Sequence, residues 1–116
     1  MQDNTRFLVA DDDEINLDIM HEYLKYMSDD YQIETAKDGQ QVWQMLNDNK
    51  DDYYDIVILD NMMPKLTGLD VLKKMQSIKS LSHIPVVIQS ARARKEDVIE
   101  GIEAGGFYFL TKTFKE

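Results

Sequence analysis

Acidic residues are scattered along the chain, but a few stand where they can act together. Asp11-Asp12-Asp13 follows directly on the apolar run Phe7-Leu8-Val9-Ala10, and Asp60 ends a second run, Ile56-Val57-Ile58-Leu59. A third run, beginning at Pro85, ends in Ser90, and a fourth, Phe107 to Thr111, is followed by Lys112. If these runs are strands lying side by side, several acids, a hydroxyl and an ammonium share one edge. Carboxylates crowded into one cleft repel each other, so one takes up a proton or a cation neutralises them. Only oxygen ligands are on offer, which suits Mg²⁺ or Ca²⁺ far better than zinc. An ion there would let an anionic phosphoryl donor approach. Asp60 could then attack phosphorus and form an aspartyl phosphate. Ser90 and Lys112 could each hold a phosphoryl oxygen, one by hydrogen bond and one by charge.

Each of these residues also has a plain reading. A lone Asp at a strand end is usually a cap or a loop residue, and Asp13 and Asn16 are assigned nothing more. Ser90 alone would be a turn hydroxyl and Lys112 a surface charge. Their joint occurrence at four strand ends is much harder to get by accident.

The elements that must position them follow from hydrophobic spacing. Ile15, Ile19, Met20, Tyr23, Leu24 and Met27 recur at helical intervals and predict a first helix with that stripe inward. Tyr31 to Ala36 alternates like a strand. Asp38 is a candidate cap for a helix reaching Asn49, with Gln41 three residues on and Val42, Met45 and Leu46 inward. Asp55 to Asp60 has an unbroken apolar middle, which predicts burial on both faces. Thr67 and Asp70 form a candidate capping box for a helix carrying Leu69, Leu72, Met75 and Ile78. A fourth helix is predicted over Lys95 to Ala104, closed by Gly105-Gly106. Strands that alternate with helices imply a parallel sheet covered on both faces, an α/β fold. In such sheets ligands bind beyond the carboxyl ends of the strands, the edge where the acids gather.

Composition narrows the function further. The 116 residues suit one domain, and 22 acidic against 13 basic residues give a net charge of −9, which repels nucleic acid. There is no run of 18 apolar residues to cross a membrane. The chain has no cysteine, hence no disulfide or thiolate metal site, and a cytoplasmic location is expected. His21, on the polar side of the first helix, and His83, in a loop, are poorly placed as ligands, and Trp43 reads as a packing or surface aromatic.

The motifs resemble those of response-regulator receiver domains over essentially the whole chain. Phe7 to Asp12 resembles their first strand and acidic pair. Asp55-Ile56-Val57-Ile58-Leu59-Asp60-Asn61-Met62-Met63-Pro64, followed by Gly68, resembles their phosphoacceptor segment. Pro85 to Ala91 resembles the strand bearing their switch hydroxyl, and Ala104-Gly105-Gly106 with Phe109-Leu110-Thr111-Lys112 resembles the approach to their last strand and its lysine. The resemblance implies a doubly wound, five-stranded, flavodoxin-like parallel sheet in the order 2-1-3-4-5. It implies Asp60 as phosphoacceptor, Mg²⁺ held by Asp12, Asp60 and the Met62 carbonyl with Asp11 acting through water, and Ser90 and Lys112 as phosphoryl ligands. Phe109 would be the aromatic whose rotamer follows Ser90. The donor would be a phosphohistidine on a sensor histidine kinase or phosphotransfer protein, and the switch would act on an output domain or effector, as a signalling module and not a conventional enzyme.

Three departures qualify the resemblance. Thr113 follows Lys112 where the family usually has proline, and a cis bond without proline costs about 2.5–4 kcal/mol, so a trans Lys112–Thr113 bond is expected. Arg92, two residues after Ser90, is a long cation that could tune donor access or phosphoryl lifetime. The sequence stops at Glu116, where the family continues into a fifth helix. Residues 1–116 therefore read as a receiver truncated before its last helix, with an apolar stripe that a second copy could cover as a homodimer. Three other readings fit less well. An Asp-nucleophile phosphohydrolase would carry Asp-x-Asp, but Asn61-Met62 follows Asp60. A flavin carrier would have a Ser/Thr/Gly phosphate loop after the first strand. A receiver-like interaction module that has lost phosphorylation would have lost some of these site residues.

Overall fold

The computed structural model describes residues 4–49, 53–90, 99 and 108–111. The apolar runs and helical patterns become β1 (Arg6–Ala10), α1 (Glu14–Met27), β2 (Gln32–Ala36), α2 (Gly39–Asp48), β3 (Ile56–Asp60), α3 (Gly68–Gln76), β4 (Val86–Ser90) and β5 (Tyr108–Thr111). All strand pairs are parallel, and the sheet runs β2-β1-β3-β4-β5. The doubly wound α/β architecture inferred from the alternation is present. The helix expected over Lys95 to Ala104 lies outside the described residues apart from Ile99, which is exposed.

Two apolar layers flank the sheet. On one face Leu8, Ala10, Val57, Leu59, Val86 and Ile88 pack with Val42 and Leu46 of α2 and Leu69, Val71, Leu72 and Met75 of α3. Most of these side chains are fully buried, each contributing about 1.5–3 kcal/mol of transfer free energy. On the other face a smaller cluster joins Phe7 and Val9 to Leu17 and Leu24 of α1. There Ile56, Ile58 and Val87 are only half-buried. The two-faced burial expected of β3 is thus complete on the α2–α3 side alone.

The first helix corrects the sequence reading. Its inward stripe is Leu17, Leu24 and the half-buried Met20, whereas Ile15, Ile19, Tyr23 and Met27 are exposed, at 68%, 44%, 65% and 63%. Both stripes have helical spacing. Which one meets the sheet is decided by packing against Phe7 and Val9; Asp13 caps the start of the helix by accepting from the Ile15 N–H at 2.9 Å.

The other caps follow the sequence. Asp38 accepts from the Gln41 N–H at 2.7 Å, while the Gln41 side chain reaches back to the Lys37 N–H at 2.8 Å. Thr67 and Asp70 form the reciprocal capping box, at 3.1 and 3.0 Å. The amino terminus of α2 is pressed against the loop after β3. Gly39 donates to the Pro64 carbonyl at 3.3 Å, and a Cβ at Gly39 would stand 2.1 Å from the Leu66 carbonyl oxygen, so no side chain fits there.

Candidate functional site

Parallel strands all end on the same edge, so the residues that follow β1 and β3 are brought together by pairing alone. Ala10 lies opposite Leu59, which sets Asp11 beside Asp60. The Asp11 N–H continues the ladder by donating to the Ala36 carbonyl at 3.1 Å, and the Asn61 N–H does so to the Gln89 carbonyl at 2.8 Å. The strands are thereby held past their last paired residues, and the carboxylates leave the sheet from fixed backbone.

Asp11, Asp12 and Asp60 converge, each offering a carboxylate oxygen within 4.8 Å of the others. Asp11 and Asp60 are buried, each 4% exposed, and Asp12 opens to solvent. Main-chain amides orient the two buried acids. Asp11 Oδ1 accepts from the Asp13 N–H at 2.9 Å, and Asp60 Oδ1 from the Met62 N–H at 3.1 Å. Three acids, two of them withdrawn from water, form a cluster of carboxylate oxygen donors. That donor set fits a hard divalent cation such as Mg²⁺ and does not fit a metal that prefers nitrogen or sulfur.

The remaining expected residues distribute as follows. The side chain of Met62 is 68% exposed, which leaves its carbonyl as the group it could offer the site. Ser90 ends β4, paired with Thr111 of β5, and Phe109 pairs with Ile88. Backbone pairing thus places Ser90 one position past Gln89, the partner of Asp60. Arg92, Lys112 and Thr113, and with them the Lys112–Thr113 bond, lie outside the described residues. Asp13 is the α1 cap, as its plain reading has it. His21 and His83 are both exposed; His21 lines a shallow groove of about 310 Å³ with Glu14, Leu17, Asp18, Thr35 and Lys37. Trp43 is half-buried on the core, with the Lys74 ammonium 5.2 Å from its ring centroid.

Two groups of residues were not singled out from the sequence. Asn61 is the first: its Oδ1 accepts from the Leu69 N–H of α3 at 3.0 Å. Its position between Asp60 and Met62 was the available signal. The second lies toward the amino-terminal edge of the sheet. Glu34 accepts from Tyr54 at 2.6 Å, from Tyr53 at 2.8 Å and from Arg6 at 3.3 Å. Arg6 also donates to the Tyr53 hydroxyl at 2.6 Å and lies 4.1 Å from its ring centroid. Burial pushes the Glu34 carboxyl up, but the hydrogen bonds from Tyr54, Tyr53 and Arg6 outweigh it and leave the group below its ordinary value. Burial, and then the bond to Glu34, push the Tyr54 phenol well above its own. Nothing in the spacing of these four residues announces the network, because pairing across β1, β2 and the approach to β3 assembles it.

A parallel sheet with three converging acids at the carboxyl ends of β1 and β3 defines an α/β domain with a candidate cation site at its carboxyl edge. The response regulator receiver domain matches residues 7–116, and the chain belongs to that family. It is 38% identical over 111 residues to the transcriptional regulatory protein YrkP of Bacillus subtilis, covering 96% of this chain and 44% of YrkP. The chain spans less than half the length of the curated relatives it matches. Among solved structures, a response regulator receiver domain protein from Clostridium thermocellum superposes with a TM-score of 0.84 at 26% identity, covering 96% of this chain and 84% of that one. The receiver domain of a sensor histidine kinase from Pseudomonas aeruginosa PAO1 superposes with a TM-score of 0.82 at 21% identity, covering 97% and 88%. That structure has a magnesium ion coordinated in its active-site cleft. Among the described residues no helix is long and apolar enough to cross a membrane.

Proposed function

We propose that residues 1–116 are a receiver domain that accepts a phosphoryl group on Asp60 in a Mg²⁺-dependent reaction and relays the change to an output domain or partner. The observation that carries this reading is the convergence of Asp11, Asp12 and Asp60, from two different strand ends, to within 4.8 Å. Asp12, Asp60 and the Met62 carbonyl would hold the ion directly, and Asp11 through water. When bound, the ion supplies positive charge against the transferring phosphoryl group. Asp60 supplies the nucleophile. A carboxylate oxygen attacks phosphorus, the phosphorus–nitrogen bond of a phosphohistidine breaks, and the imidazole leaves with the electron pair and takes a proton from water. Ser90 and Lys112 would each bind a phosphoryl oxygen, and Arg92 would tune donor access or phosphoryl lifetime.

The switch would act through the same residues. A new anion on Asp60 favours the packing in which the Ser90 hydroxyl turns toward it and Phe109 moves into the vacated space, a shift between two states driven by differential contacts. The donor would be a sensor histidine kinase or phosphotransfer protein, and the domain would work in the cytoplasm. Intact-mass measurement after incubation with acetyl phosphate and Mg²⁺ tests the proposal. One added phosphoryl group on the wild type and none on Asp60→Asn is the expected result. An unlabelled wild type, or a variant labelled equally, overturns it.

A further inference from the structure

Asn61 stands between the two groups that the proposed chemistry needs, the Asp60 carboxylate and the Met62 carbonyl, and it is tied down on three sides. Its N–H donates to the Gln89 carbonyl at 2.8 Å, its carbonyl accepts from the Gly68 N–H at 3.3 Å, and its Oδ1 accepts from the Leu69 N–H at 3.0 Å. The first two bonds are available to any residue. The third needs a side-chain acceptor of this reach, and it satisfies a donor in the first turn of α3 that the helix itself leaves open.

Gly68 completes the clamp. A Cβ there would lie 3.0 Å from the Asp60 carbonyl oxygen and 3.1 Å from the Asn61 Cα, so α3 begins in direct contact with the backbone of residues 60 and 61. The peptide held this way also aims the Met62 N–H, which donates to Asp60 Oδ1 at 3.1 Å. The Asn61 side chain therefore adds one tie to the backbone segment that runs from Asp60 to the Met62 carbonyl.

We propose that Asn61 is a positioning residue for the metal and phosphoryl site, fixing the backbone between Asp60 and Met62 through its bond to α3. The inference rests on the receiver reading above and deepens it. Mg²⁺ demands near-octahedral oxygen geometry, and partners that orient metal ligands without touching the metal are commonly worth about 10–100-fold in affinity. A plain helix cap would contribute stability alone.

Titration with Mg²⁺ followed by amide chemical shifts, paired with melting temperatures in EDTA, separates the two roles. Asn61→Leu keeps the bulk and removes the acceptor; Asn61→Ala removes both, so that one variant stays readable if the other misfolds. The wild type is titrated first. For a variant that melts cooperatively and shows a shifted Leu69 amide, the Mg²⁺ dissociation constant is expected to rise about tenfold or more. A folded variant that binds Mg²⁺ within about twofold of the wild type would show Asn61 to be a cap only and would overturn the inference. A wild type that takes up no Mg²⁺ defeats the receiver reading itself, and the inference with it.

Discussion

The two ends of the sheet use carboxylates in opposite ways. Toward the amino-terminal edge Glu34 is set among donors, two phenols and a guanidinium, which hold it ionised below its ordinary value although it is partly buried. At the carboxyl-terminal edge Asp11, Asp12 and Asp60 are set among each other. The same functional group is thus a fastener in one place and a candidate reaction centre in the other. The difference lies in the company each keeps. Donors around a carboxylate stabilise its charge, whereas carboxylates crowded together disfavour one another's charge. The comparison predicts that removing a carboxylate has opposite consequences for stability at the two ends.

The largest effect is expected at the acidic end. Asp12→Ala removes a candidate inner ligand, and Mg²⁺ affinity should fall by at least the roughly 10–100-fold that loss of an outer-shell partner commonly costs. Asp13→Ala should change it much less, because Asp13 serves as the α1 cap. Calorimetric titration of both variants checks the order, and the reverse order would mean that the acidic pair is Asp12-Asp13. Without divalent ions Asp12→Ala should melt no lower than the wild type, since it relieves crowding among like charges. A large drop there would erase the contrast between the two ends.

At the other end the sign reverses. Glu34→Ala leaves Arg6, Tyr53 and Tyr54 without the acceptor they share, and urea unfolding should show a loss of about 1–3 kcal/mol, the usual cost of stranding partly buried polar groups. Water reaches Glu34, whose side chain is 31% exposed, and that keeps the cost in the lower range. Mg²⁺ affinity should stay within about twofold of the wild type, because sites that share no partners behave additively. A parallel loss of metal binding would mean that the two ends are coupled through β1 and β3.

The acidic end was legible in the sequence and the basic-aromatic end was not, for a physical reason. In a parallel sheet every strand delivers its last residue to one edge, so Asp11, Asp12, Asp60 and Ser90 could be placed from strand ends alone. Capping chemistry is local too, and Asp38, Thr67 and Asp70 read correctly. Glu34 meets Arg6, Tyr53 and Tyr54 only through tertiary pairing, and no spacing rule reports that. The first helix shows a different limit. Ile15, Ile19, Tyr23 and Met27 make as good a stripe as Leu17, Met20 and Leu24, and only packing against Phe7 and Val9 shows which is inside. Asn61 lies inside the Asp60–Pro64 motif, but its side-chain bond depends on the position of α3, which no local spacing reports.

The smallest expected effect is also the most discriminating, because it tests the charge state of Glu34 and not merely its presence. The folded carboxyl lies below its ordinary value of 4.5. A group whose pKa is depressed by folding contributes stability that is fully present above the unfolded value and is lost as pH falls through the folded one. Glu34→Gln keeps the shape and one acceptor oxygen but removes the charge. The stability gap between wild type and Glu34→Gln should therefore be constant near neutrality and should narrow as pH falls from 4.5 into the more acid range. Glu14, lowered by its hydrogen bond and ion pair with Lys37, titrates in the same direction in both proteins and cancels from the difference. The alkaline side offers a second reading of the same network. The Tyr53 and Tyr54 phenols lie above their ordinary value of 10.0, so any stability they contribute is lost only as pH rises past it. Urea midpoints taken from neutral pH downward measure the gap. A gap that stays constant through the acid range would mean that Glu34 acts through its shape and hydrogen bonding alone, and that the two ends of the sheet do not differ in how they handle charge.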